Sequence, residues 1–85
     1  MAKRWTLYAH REFTRSLRQI PRGLAGLVST AISALADNPL PAGYEPIAGH
    51  ENRYRLPAYG YFVYYEVLEE TRIINVLLIE EETPS

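Results

Sequence analysis

Cysteine is absent from the sequence, and histidine occurs only twice, as His10 and His50. The first absence excludes disulfide bonds and thiolate metal sites. Two histidines so far apart along the chain argue against zinc, and we expect neither a metal nor a cofactor. No apolar run approaches the length of a membrane span, and the N-terminus lacks the apolar stretch of a signal peptide. We therefore expect a soluble, cytoplasmic protein with no membrane partner.

The 85 residues suffice for one domain, which we predict to span residues 1–85. With 47% hydrophobic and 22% charged residues, the composition is that of an ordinary globular protein. A net charge of −1 conceals an asymmetry along the chain. Residues 1–22 hold six basic side chains against one acid, whereas residues 66–85 hold six acids against one base. One end therefore suits an anionic partner and the other a cationic one.

Turn residues and hydrophobic periodicity predict the element order β-α-α-β-β-β. Strands are predicted at 5–9, 53–56, 61–68 and 72–79, helices at 11–20 and from 22 to the Asp37-Asn38-Pro39 stop, a loop at 40–52 and a frayed tail at 80–85. The apolar face of the second helix comprises Leu24, Leu27, Val28, Ala31, Ile32 and Leu35. This order implies an α+β fold, in which a helical hairpin packs on one face of a small four-stranded sheet.

Strand alternation divides the aromatic run YGYFVYY, residues 59–65, between the two faces of the sheet. The better core face comprises Tyr61, Val63, Tyr65 and Val67, joined by Tyr54 and Leu56 of the preceding strand. The opposite face, called the open face below, then carries Arg53, Arg55, Phe62 and Tyr64. Guanidinium groups beside flat rings suit RNA, because the first bind phosphate and the second stack on bases. The alternative is that the tail or a second protomer covers these rings.

Four arginines recur at helical spacing on the first predicted helix and just beyond it: Arg11, Arg15, Arg18 and Arg22. Such a stripe suits phosphate or an acidic partner. The alternative is a solvated helix face opposite the apolar stripe of the same helix. The three glutamates at 80–82 are more simply a solvated terminus than a metal site, because consecutive carboxylates do not converge on one ion.

Four stretches together carry a resemblance to a known family: WTLYAHREFTRSLRQIP, ALADNPLPAGYEPIAG, YRLPAYGYFVYYEV and IINVLLIE. In order and spacing they resemble RelE/ParE-superfamily toxins of bacterial type II toxin–antitoxin systems. The resemblance covers nearly the whole chain. It implies a four-stranded sheet with a helical hairpin, and a cognate antitoxin that wraps and neutralises the toxin.

The superfamily divides by target, and the resemblance leaves both targets open. RelE-like members cleave mRNA in the ribosomal A site with basic residues of the open face, whereas ParE-like members poison DNA gyrase without that catalytic set. Arg55 matches one basic position of the RelE-like pattern. Pro57 and Phe62 occupy two others, and EEETPS replaces a basic cluster after the last strand.

For cleavage, the candidate catalytic residues are Arg53 and Arg55 for charge stabilisation and His50 for proton transfer, with Glu66 as a remote candidate base. Our first functional hypothesis is a toxin that inhibits translation as an mRNA interferase with an atypical catalytic set. The alternatives are a ParE-like gyrase inhibitor and a catalytically inactive module of the same fold that only binds the antitoxin.

Overall fold

The computed structural model describes residues 4–82, which form two helices and one five-stranded sheet. The elements are β1 (Thr6–Ala9), α1 (Arg11–Arg18), α2 (Arg22–Ala34), β2 (Glu45–Pro46), β3 (Arg53–Ala58), β4 (Tyr61–Leu68) and β5 (Ile73–Glu81). The strands lie in the order β1-β5-β4-β3-β2. β1 runs parallel to β5, and every other neighbouring pair is antiparallel. The predicted α+β class and the helical hairpin are confirmed.

Two features of the sheet differ from the sequence-based prediction. A fifth strand, β2, lies inside the predicted loop and pairs Glu45 with Arg55. Its two residues are too few for a hydrophobic pattern to indicate a strand. In addition, Glu80 and Glu81 are not a frayed tail but the end of β5, opposite Phe62 and Tyr61 of β4. The backbone N–H of Glu82 continues the ladder to the Gly60 carbonyl at 2.9 Å, while residues 83–85 lie outside the described residues.

Both helices end earlier than predicted. His10 caps α1 through its Nδ1, which accepts the backbone N–H of Glu12 at 3.1 Å. α1 ends at Arg18, because Pro21 follows closely and its extended backbone starts the turn into α2. α2 ends at Ala34. The backbone N–H groups of residues 35–37 then each donate to the carbonyl three residues earlier, which forms a tighter last turn. Within residues 4–82 no helix is long and apolar enough to cross a membrane.

The core lies between the helices and the face of the sheet that alternation predicted. Its fully buried side chains come from α2, from the residue that follows it, and from β4 and β5: Val28, Leu35, Val63, Tyr65, Ile74 and Val76. Tyr61 and Tyr54 are half-buried against this cluster. Leu27, predicted to be buried, is 45% exposed. It lies about 100° around the helix from the fully buried Val28, at the margin of the apolar stripe.

Local backbone geometry sets the two faces of β4 and β5. Tyr59 (φ 53°) and Gly60 (φ 88°) form the two-residue turn between β3 and β4, and a positive φ at both positions matches the twist of a hairpin. In β5 a bulge shifts the register, so that Tyr64 pairs with Leu78 and Tyr65 with Val76. Leu77 is the extra residue, and it lies half-buried beside Leu78.

Tyr65 joins the sheet to the loop after α2. Its ring is fully buried, and its hydroxyl donates to the Pro39 carbonyl at 2.7 Å. The Tyr54 ring lies 5.8 Å from that of Tyr65, and the Tyr44 ring lies edge-on to Tyr54 at 5.5 Å. Burial, with smaller contributions from Tyr54 and Tyr44, raises the pKa of the Tyr65 phenol above its ordinary value of 10.

We expect Tyr65→Phe to lower the free energy of unfolding by about 1 kcal/mol, because it removes one partly buried hydrogen bond and leaves the ring in place. Urea denaturation measures the change. Tyr64→Phe is the matched control, since its hydroxyl makes only surface hydrogen bonds, with Glu80 at 3.4 Å and with the Arg55 guanidinium, and their loss should cost less than about 0.5 kcal/mol. An equal loss in both variants would contradict this role of Tyr65.

The raised pKa of Tyr65 also predicts a pH dependence of stability. A phenol whose pKa is higher in the folded state contributes stability that is complete below its unfolded value of 10 and is lost as the pH rises above it. We expect the unfolding free energy to fall above pH 10, and to fall less steeply in Tyr65→Phe. Parallel pH profiles of the two proteins would count against the assignment.

Candidate functional site

The open face of the sheet holds the four side chains that alternation placed there. Arg53 and Arg55 project from β3, beside Phe62 and Tyr64 of β4, and the register pairs Arg55 with Tyr64. All four are half-buried. The structure therefore brings these candidate residues together on one surface.

Arg55 is held on three sides. The carbon at the centre of its guanidinium lies 3.9 Å from the centroid of the Phe62 ring, and its Nε donates to Glu45 Oε1 at 2.6 Å. A hydrogen bond with the Tyr64 phenol, followed by the one with Glu45, raises the pKa of the Arg55 guanidinium. Arg55 is therefore a fixed cation, and the Glu45 carboxylate occupies the position at which its Nε could bind another anion.

Arg53 is also paired with a carboxylate. Its Nε lies 3.5 Å from Glu66 Oε2, and the other oxygen of Glu66 accepts the side-chain amide of Asn75 at 3.1 Å. Glu66 was a remote candidate base, and in the structure it is engaged by a cation and an amide. Each carboxylate oxygen of Glu66 therefore already has a partner on the sheet.

His50 belongs to the same region as Arg53. A small pocket of about 140 Å³ is lined by His50, Arg53 and Tyr64, together with Ile47, Tyr54, Leu77 and Leu78. Arg55 is not part of this lining. The three candidate catalytic residues are thus divided, with His50 and Arg53 at the pocket and Arg55 beside Phe62 and Glu45.

The arginine stripe divides as well. Arg11, Arg15 and Arg18 line one shallow depression on α1 together with Thr14 and Gln19. Arg22 is the first residue of α2 and is absent from that lining, because the chain turns at Pro21 between the helices. We call the three helix residues Arg11, Arg15 and Arg18 the α1 stripe.

Sequence reasoning missed the partners that neutralise the open face. Glu45 lies in a stretch rich in Pro and Gly, where no periodicity indicates a strand or a face. In β5 the bulge at Leu77 interrupts the alternation that would have assigned Leu77 and Leu78, whereas Asn75 precedes the bulge and alternation could have placed it opposite Glu66. Tyr8 is different: it is 56% exposed and pairs with Asn75, so alternation along β1 could have placed it on this face.

The open face presents aromatic and aliphatic side chains beside internally paired charges. Its two arginines and two of its carboxylates satisfy one another, which leaves little net positive charge for phosphate. No cluster of His, Asp and Glu among residues 4–82 could hold a metal ion.

Solved structures share this fold. A chain of the archaeal RelE–RelB complex from Pyrococcus horikoshii OT3 superposes with a TM-score of 0.80 at 17% identity, over 95% of this chain and 98% of that chain. The isolated E. coli RelE toxin gives 0.81 at 14% identity, over 95% and 87%. A chain of the RelBE2 toxin–antitoxin complex from Mycobacterium tuberculosis gives 0.75 at 21% identity, over 92% and 98%. This chain therefore has the fold of these RelE structures.

The sequence itself identifies the family. Residues 4–82 match the family described as the ParE toxin of the type II toxin–antitoxin system, parDE. This chain therefore belongs to the ParE toxin family and is a toxin of the type II toxin–antitoxin class. No curated protein matches the sequence significantly.

We expect Glu45→Gln to release Arg55 for phosphate. Fluorescence anisotropy at several salt concentrations measures the affinity for single-stranded RNA. The slope of log affinity against log salt should be steeper than that of the native protein by about 0.7, the value for one added phosphate contact. Glu51→Gln is the matched control, since it removes the same charge from an exposed residue for which no ion pair is seen within residues 4–82. Equal slopes in both variants would show that Glu45 does not mask Arg55.

Proposed function

We propose that this toxin arrests growth by binding DNA gyrase through its open face, and not by cleaving mRNA. The observation that carries the proposal is the pairing of both open-face arginines with carboxylates, Arg55 with Glu45 at 2.6 Å and Arg53 with Glu66 at 3.5 Å. An RNA-cleaving site needs cations free to stabilise a charged phosphorane, and here those cations are already occupied. The ParE-like members that the sequence resembles act on gyrase without a catalytic set.

The composition of the open face supports a protein target. Phe62, Tyr64, Leu78 and Tyr8 offer aromatic and aliphatic area on a rigid sheet, and aromatic residues dominate the energetics of protein interfaces. The paired charges around them would give a partner fixed polar contacts. Positive potential for a long RNA strand is reduced further by Glu80, which accepts the Tyr64 hydroxyl at 3.4 Å.

A cognate antitoxin is the second partner that we propose. The Pyrococcus horikoshii and Mycobacterium tuberculosis structures are toxin–antitoxin complexes, which supports a protein that covers this toxin in the same manner. An antitoxin segment on the open face would compete with the target for the same aromatic side chains. The antitoxin would then neutralise the toxin by occupying the surface that the target needs.

We expect the purified toxin to inhibit gyrase supercoiling, and Tyr64→Ala to weaken inhibition by about 30-fold, the effect of losing an interface residue worth about 2 kcal/mol. Tyr59→Asn is the control, because Tyr59 is exposed in the β3–β4 turn and asparagine tolerates its positive φ. Circular dichroism checks that both variants fold. No inhibition by the folded native toxin at micromolar concentration would contradict the proposal.

mRNA cleavage at the ribosome is the second candidate, and one observation favours it: His50 and Arg53 line the same pocket as Tyr64. A histidine there could move the proton that cleavage requires. If this function holds, primer extension after induction shows codon-linked cuts that His50→Ala reduces by about 100-fold or more. Growth arrest with intact mRNA would exclude it. Normal growth on expression without a partner would favour the inactive antitoxin-binding module over both activities.

A further inference from the structure

The arginines of this protein fall into two groups by their partners. Arg4 pairs with Asp37 at 3.0 Å, Arg53 and Arg55 pair with glutamates, and the guanidinium of Arg72 lies 4.5 Å from the centroid of the Trp5 ring. Within residues 4–82, by contrast, no carboxylate pairs with any arginine of the α1 stripe. These side chains are exposed and line one depression.

Helix stability does not account for this arrangement. Arg11 and Arg15 are four residues apart and Arg15 and Arg18 three apart, spacings at which like charges repel on a helix surface. Arg11 is also the first residue of α1, where the positive end of the helix dipole disfavours a cation. Only Arg15 and Arg18, in the last turn, gain from the dipole. A stripe that partly opposes its own helix is better explained by an external anion.

The chemistry of the depression indicates which anion. Its remaining lining residues, Thr14 and Gln19, offer hydrogen-bond donors and no aromatic ring. Single-stranded nucleic acid is bound by stacking its bases on aromatic side chains, so this surface lacks the main device for that ligand. A duplex exposes continuous phosphates and keeps its bases stacked inside. From Arg11 to Arg18 the helix rises about 10 Å, which matches roughly three phosphate steps along one strand of a duplex.

We propose that the α1 stripe is a binding surface for the phosphate backbone of duplex nucleic acid. It lies on a helix that packs over β5 on the core side of the sheet, and is therefore separate from the open face. The inference goes beyond the proposed function, since neither gyrase nor the ribosome is required for the contact. A toxin with these two surfaces would engage a protein with one face and a neighbouring duplex with the other.

The surrounding carboxylates limit the length of this surface. Glu12 is the only acidic residue on α1. Glu80 and Glu81, at the end of β5, line a separate depression with Ser16 and Ile20, and Gln19 lines both this depression and that of the α1 stripe. Glu81 pairs with Tyr61 in the ladder and so projects on the helix side of the sheet, whereas Glu80 faces Tyr64 on the open face. Phosphate contacts should therefore end near Arg18.

Fluorescence anisotropy with the full chain and a labelled DNA duplex of about 20 base pairs tests the proposal directly. Three phosphate contacts predict a logarithmic salt slope of about −2.7, so that affinity falls about 40-fold between 50 and 200 mM salt. Arg15→Gln/Arg18→Gln should reduce the slope to about −0.9. Arg4→Gln removes a positive charge outside the stripe and should leave the slope unchanged, while Glu81→Gln should raise affinity.

Three further probes identify the ligand. If backbone phosphate is the ligand, duplex RNA of the same sequence should bind the α1 stripe with an affinity comparable to that of duplex DNA. If only one of the two duplexes binds, that nucleic acid is the ligand. Polyglutamate tests an acidic protein in its place. The proposal is overturned if the folded native protein shows no duplex binding at about 50 mM salt, if Arg4→Gln lowers binding as much as the stripe variant, or if only polyglutamate binds.

A negative gyrase result would not affect this outcome, because the binding assay contains no gyrase. Conversely, if the protein inhibits supercoiling but does not bind a duplex, the role of the α1 stripe is contradicted and gyrase stands as the target.

Discussion

The buried hydroxyl of Tyr65 and its bond to the Pro39 carbonyl are the constraint on which the rest of the site depends. A phenol at the centre of the core must find a partner, and the partner it finds is the loop that leaves α2. The rings of Tyr54 and Tyr44 extend the contact along that loop. Because the loop is held against the sheet at these points, the two residues that follow Tyr44 can pair with β3 as β2.

That short strand contributes to the electrostatics of the open face. It places Glu45 beside Arg55, and β4 places Glu66 beside Arg53. Each pair is partly exposed and contributes little to stability, but each lowers the positive potential that a phosphate would meet. The same fold leaves the arginines of the α1 stripe without carboxylate partners among residues 4–82, whereas both arginines of the open face have one.

Much of the architecture could be predicted because its signals are local. The period-2 pattern of β4 assigned Val63, Tyr65 and Val67 to the core, and the structure buries all three. The break at Pro21 and Gly23 separated the two helices correctly. The bulge at Leu77 could not be foreseen, since it reflects how β5 must shift to pair with β4. Leu27 was assigned to the core by spacing alone, but it lies at the margin of the apolar stripe of α2 and is 45% exposed.

The candidate site shows the same division. By itself, the sequence determined which residue types share a strand face and a helix stripe, because side-chain direction follows backbone periodicity. Only the tertiary structure decided which charges meet. Glu45, ten residues before Arg55 in the sequence, contacts it across the β2–β3 pair. His50 and Arg53 line one pocket that residues of β4 and β5 complete. Ion pairs form between surfaces that packing brings together, and no local pattern encodes them.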